Sequence, residues 1–110
     1  MPSSGEPHWN DSGWTSESPA DDIDYISTLI DWAYSEYQIN LNRVYATGKS
    51  NGGKMSYHLA CNIGYRIAGV ASVGGSMTPN TYSNCNPSQP TSIFHIHGDD
   101  DTVVPYDGNW

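Results

Sequence analysis

Apolar residues recur with two different spacings along this chain, and the alternation between them predicts the order of its elements. Ile23, Ile26, Leu29, Ile30, Ala33 and Tyr37 fall at helical spacing, which predicts an amphipathic helix over residues 19–38. Its onset carries matching signals. Ser18 can cap, Pro19 suits the first helical position, and Asp21 and Asp22 favour the positive helix end. After the connection "INLN", the run "RVYATG" (43–48) reads as a short buried strand. "NGGKMSYHLACNI" (51–63) reads as a second helix, with Met55, Leu59 and Ile63 on one face and Gly64 as its stop. "RIAGVASV" (66–73) is a second apolar strand, and residues 74–90 form a long loop of Gly, Asn, Ser and Pro. "TSIFHIHG" (91–98) is a third strand and runs into the acidic turn "DDDT".

Apolar strands separated by a helix and a long loop predict a parallel sheet covered by helices. Residues 1–18 form a polar leading loop in which Trp9 and Trp14 could anchor, and residues 19–110 hold the structured part. Three parallel strands are few for such a sheet to stand alone. The loop over 74–90 exceeds the usual connection length, which often marks a substrate-facing insertion. The chain is therefore expected to be the central portion of a larger domain.

Composition narrows the partners. The 110 residues allow one domain at most, and the net charge of −8 sets 12 acidic residues against Arg43, Lys49, Lys54 and Arg66. Such a surface repels nucleic acid phosphates and anionic membranes, so neither is expected as a partner. No stretch approaches the roughly 20 apolar residues of a membrane span. The opening "MPSSGEPHWNDSG" lacks the basic start and apolar core of a signal peptide. Cys61 and Cys85 would close a loop worth roughly 3–4 kcal/mol if bridged, and two unpaired thiols, one of them buried, are the alternative.

The chemistry begins at "ATGKSNGGKMSY" (46–57), which admits two readings from the same glycine. "GKSNGGK" is nearly a nucleotide-binding P-loop, while "GKSNG" is G-x-S-x-G, the turn that presents a nucleophilic serine in α/β-hydrolases. A P-loop needs a hydroxyl after its lysine to hold magnesium, and that position is Met55. The nucleophile reading has no defective position. Gly48 and Gly52 flank Ser50, Gly53 adds room, and the backbone N–H of Asn51 would point where an oxyanion forms. A serine that merely caps a glycine-rich helix is the structural alternative.

The second constellation is "HGDDDTVVPY" (97–106). A serine hydrolase of this type needs a carboxylate on a loop after a later strand to orient a histidine, and Asp101 lies in such a loop. Asp99 and Asp100 are its neighbours. A solvated acidic turn is the bland alternative, and the run lacks the ligand alternation of an EF-hand.

With both constellations in view, "DWAYSEYQINLNRVYATGKSNGGKMSYHLAC", "RIAGVASVGGSM", "CNPSQPTSIFHIHG" and "HGDDDTVVPYDG" together resemble the secreted esterases of the polyhydroxybutyrate depolymerase family, which is similar to feruloyl and acetylxylan esterases. The resemblance spans roughly residues 20–108 and implies a partial α/β-hydrolase fold. It places the nucleophile on Ser50 and the triad acid on Asp101, pairs Cys61 with Cys85, and implies an extracellular setting. It implies no metal or organic cofactor, and an ester substrate, either polyester or acylated polysaccharide.

The departures matter as much. Lys49 and Lys54 stand where the family usually has apolar residues, and Lys54 is expected to expose a normally packed helix face. The family's histidine follows the acid by a further strand and helix, and its upstream H-G loop completes the oxyanion hole; neither is found in this chain. His8, His58, His95 and His97 are in the wrong chain order to act as base. The expected function is serine ester hydrolysis, with the chain alone inactive. A catalytically incomplete carbohydrate-binding or structural module, with Trp9, Trp14 and Trp110 as stacking residues, is the competing expectation.

Overall fold

In the computed structural model of the chain, residues 8–12 and 20–108 are described. Helix α1 spans Asp22–Tyr37 and starts later than its sequence predicts. Asp21 is the cap, its carboxylate accepting from the Asp24 N–H at 3.1 Å, so Ala20 and Asp21 lie outside the helix. Ser18 and Pro19, like Trp14 and Trp110, lie outside the described residues. The start of α1 is also tied down by tertiary contact. The Asp22 carboxylate is buried and accepts from the Asn10 N–H at 2.7 Å. Gln38, in the left-handed region at φ 52°, ends the helix by returning its N–H to the Tyr34 carbonyl.

Strands β1 (Tyr45–Lys49), β2 (Gly69–Val73) and β3 (Ser92–Ile96) form one parallel sheet in the order β1-β2-β3. Helix α2 (Asn51–Ile63) makes the crossover from β1 to β2 and packs on both strands. Register places Ala46, Val70 and Ile93 in one row and Thr47, Ala71 and Phe94 in the next. Ile30, Met55, Leu59, Ala60, Ile63, Ile67 and Val70 form the core, with Ile23, Ile26, Val44 and Ala46 packed against it. This is a parallel sheet with flanking helices, consistent with a partial α/β-hydrolase fold.

Two expectations need correction. The stretch 74–90 is not all loop, because Pro79–Asn84 form a short helix α3. Thr78 caps it, accepting from the Thr81 N–H at 3.1 Å, and Pro79 takes the first turn, a cap-then-proline signal present in the sequence. β1 and β3 are also less buried than their apolar runs suggest. Tyr45 is 68 % exposed and Phe94 65 %, and every residue of β3 is exposed, because among the described residues α2 packs on β1 and β2 and no helix packs on β3. In this sheet β1 sits at an edge and β2 at the centre.

Cys61, near the end of α2, is disulfide-bonded to Cys85 at the end of α3, with Cα atoms 5.1 Å apart. No described helix is long and apolar enough to cross a membrane.

Candidate active site

Ser50 occupies the single residue between β1 and α2 and has φ 54° and ψ −115°, a region that residues with a Cβ rarely enter. Two backbone bonds hold it there. Its N–H donates to the Val73 carbonyl at 2.8 Å, and its carbonyl accepts from the Lys54 N–H at 3.0 Å. Its hydroxyl makes no capping bond. The structure therefore contradicts a serine that simply caps a glycine-rich helix.

The glycines around it divide by function. A Cβ on Gly48 would run into the Gly52 backbone, and one on Gly53 into the Ser72 hydroxyl, whereas one on Gly52 would meet nothing within 4 Å. Close approach thus needs Gly48 and Gly53, and space does not require Gly52. Gly75, which no motif singled out, is as tightly placed. A Cβ there would lie 2.8 Å from the Lys54 amide nitrogen and closer still to the Ser50 carbonyl oxygen.

Asn51 opens α2, so its backbone N–H lies in the first turn, at the positive end of the helix dipole. Its side chain is clamped by the leading segment. The carbonyl oxygen accepts from the Trp9 N–H at 2.8 Å, and the amide donates to the Trp9 carbonyl at 3.1 Å and to the Asp11 carboxylate at 2.9 Å.

Asp101 lies on the loop after β3. Its Oδ1 accepts from the Val103 and Val104 amides at 2.9 and 3.0 Å. Those bonds, Val104 first, hold its carboxyl below the usual aspartate range, and the charges of His97 and Lys54 act in the same direction. Oδ2 lies 3.5 Å from His97 Nε2, and 3.6 Å from where a Gly74 Cβ would stand. Gly74 in turn donates to the Ile96 carbonyl. Ser50 and Asp101 are therefore both gathered around Val73–Gly75, at the carboxyl ends of the parallel strands, where α/β folds place their ligands.

Lys54 reverses its expectation, since it is fully buried instead of exposing a helix face. Burial pushes its ammonium pKa down, and the carboxylates of Asp11 and Asp101 oppose that shift. Asp11 is itself fully buried. Lys49 is exposed at the end of β1.

Three of the histidines are engaged elsewhere. His58 Nδ1 pairs with the Thr81 hydroxyl at 3.1 Å, His95 with Tyr57, and His97 with the Val104 carbonyl at 2.7 Å. His8 has its Nε2 buried without a hydrogen-bond partner. No described histidine is hydrogen-bonded to Ser50. No cluster of three or more metal-ligating side chains occurs among the described residues. A groove of about 910 Å³ runs along the free edge of β1, floored by Ile30, Met55 and Leu59, and its rim reaches Asn51 and Gly52 without including Ser50.

Residues 6–108 match the family model described as phospholipase/carboxylesterase. The chain belongs to that family. It is also similar to a bifunctional acetylxylan esterase/xylanase of Neocallimastix patriciarum, with 38 % identity over 85 residues, covering 77 % of this chain and 12 % of that protein. Feruloyl esterase B of Piromyces equi is 31 % identical over 91 residues, 81 % of this chain and 17 % of that protein. Feruloyl esterase C of Emericella nidulans is 29 % identical over 103 residues, 93 % of this chain and 36 % of that protein. The chain thus spans little more than a third, or less, of the length of these relatives.

Proposed function

We propose that residues 19–110 are a portion of the catalytic domain of a serine carboxylic ester hydrolase, with Ser50 as nucleophile and Asp101 as the acid of a Ser-His-Asp triad. The supporting observation is the Ser50 turn. A serine held at positive φ with no capping bond has its conformation set by the surrounding backbone, as a nucleophile elbow requires. In the reaction, a histidine from outside the described residues takes the Ser50 proton as the oxygen attacks the ester carbonyl. The Asn51 N–H and a second donor stabilise the oxyanion, the alcohol leaves, and water then releases the acyl group. Asp101, kept ionised by two backbone amides, orients that histidine and stabilises its charged form.

The substrate class follows the relatives' names. Acetyl or feruloyl esters of plant polysaccharide are favoured over polyester, because the relatives named above are acetylxylan and feruloyl esterases. The disulfide favours an extracellular setting. A carbohydrate-binding module loses support at Trp9, whose ring lies 6.3 Å from Tyr25 and whose backbone is bonded to Asn51.

The test is hydrolysis of acetyl and feruloyl aryl esters by the 110-residue chain, by an extended version that supplies a downstream histidine, and by Ser50→Ala in each. The extended version should be active and lose roughly 10⁴-fold or more on Ser50→Ala. The short chain should be near background. An extended version that keeps its activity in Ser50→Ala refutes the nucleophile assignment. Strong hydrolysis by the short chain would assign the base to one of its own histidines.

A further inference from the structure

A line of hydrogen bonds crosses from α2 to the acid loop. The Tyr57 hydroxyl lies 2.7 Å from His95 Nδ1, His95 Nε2 lies 3.1 Å from His97 Nδ1, and His97 Nε2 lies 2.7 Å from the Val104 carbonyl oxygen. Chemistry fixes the direction of this line. A backbone carbonyl can only accept, so the hydrogen of His97 must sit on Nε2. A neutral His97 ring then has a bare Nδ1, which accepts from His95 Nε2–H. That leaves His95 Nδ1 bare, and Tyr57 O–H donates to it. Each ring has one tautomer that satisfies both of its neighbours.

The packing supports the same arrangement. The His97 side chain is 1 % exposed, its ring stacks on His95 at 5.2 Å between centroids, and Tyr106 meets it edge-on at 5.7 Å. Val104, the acceptor, is buried, and its own N–H is one of the two that hold Asp101.

We propose that Tyr57, His95 and His97 are positioning residues for Asp101. The line sets the hydrogen of His97 on Nε2, and that N–H pins the Val104 carbonyl, so that the Val103 and Val104 amides stay on the carboxylate. The helix that follows Ser50 and the loop that carries Asp101 are thereby held in one frame. The catalytic meaning of this frame rests on the esterase reading above. The clamp itself does not, and it is tested without turnover.

The experiment is nitrogen NMR on the 110-residue chain with labelled histidine above pH 7, together with amide hydrogen exchange. The expected spectrum shows both His95 and His97 with hydrogen on Nε2. Tyr57→Phe should admit the Nδ1–H form at His95 and speed exchange of the Val103 and Val104 amides roughly two- to tenfold, the effect of losing one hydrogen bond. Tyr82→Phe, on a tyrosine exposed elsewhere, should change neither. Hydrogen on Nδ1 of His97 in the unmutated chain overturns the proposal, and that reading stands even if a variant fails to fold. Unchanged His95 signals and unchanged exchange in a folded Tyr57→Phe overturn it as well. Reaction of the extended protein with a serine-directed fluorophosphonate, and its loss in Ser50→Ala, reports separately on the esterase reading.

Discussion

Replacing Ser50 with glycine should make the protein more stable while removing the proposed nucleophile. At φ 54° and ψ −115° the residue is in a region that costs a side chain with a Cβ about 1–3 kcal/mol. The hydroxyl offers nothing in return, because it makes no capping bond. Glycine relieves the Cβ strain but gives the unfolded chain more freedom, a loss of about 0.5–1 kcal/mol. The net gain over Ser50→Ala should be about 0.5–2 kcal/mol, and alanine is the right reference because it deletes the hydroxyl and keeps the Cβ. For a chain of this size, that corresponds to a rise in Tm of a few degrees to roughly ten. Urea denaturation of the two variants side by side measures the difference, with equal slopes required so that the midpoints can be compared. A Ser50→Gly variant no more stable than Ser50→Ala would mean that the turn is unstrained. Ser50 would then not be forced into its conformation by the surrounding backbone.

Gly75→Ala should destabilise the chain by about 1–3 kcal/mol, since its Cβ would press on the Ser50 carbonyl and the Lys54 amide. Gly52→Ala, with open space around it, is the control, and a Gly75→Ala variant as stable as that control contradicts the packing argument. Stability should fall in two stages on acidification. His95 is held below the usual histidine range by partial desolvation of its ring and by His97, so its contribution is complete above about pH 6.5 and is lost as pH falls through its folded pKa. Asp101, also held low, contributes fully above about pH 4 and loses that contribution as pH falls further through its own folded pKa. In urea midpoints collected from pH 8 downward, Asp101→Asn should lie below the parent at neutral pH and converge with it in acid. Parallel curves would remove the aspartate from the account.

Much of the architecture is written locally. The 3.6-residue recurrence of Ile23, Ile26 and Ile30, the cap-and-proline pair Thr78–Pro79, and the apolar runs of the strands each act within a few residues, so pattern reading finds them or could have. G-x-S-x-G around Ser50 and the aspartate of the later turn are equally legible, because a strained turn and a loop carboxylate have short signatures. Burial and pairing are different in kind. Whether Lys54 is solvated or buried with Asp11 and Asp101 as its charged neighbours depends on segments more than 40 residues away on either side, and nothing in its own helix distinguishes the two outcomes. Asn51 looks like a first-turn residue until Trp9 and Asp11 close on its side chain. Gly75 is one more loop glycine until β2 ends beside the Ser50 turn and leaves no room for a Cβ. The hydrogen on His97 is fixed by a carbonyl on one side and by a histidine and tyrosine on the other, from a loop, a strand and a helix. Sequence determines the elements and names the reactive candidates, since propensity and turn chemistry are properties of neighbouring residues. Tertiary structure decides which groups lose water and which partner replaces it, since those depend on atoms that only folding brings together.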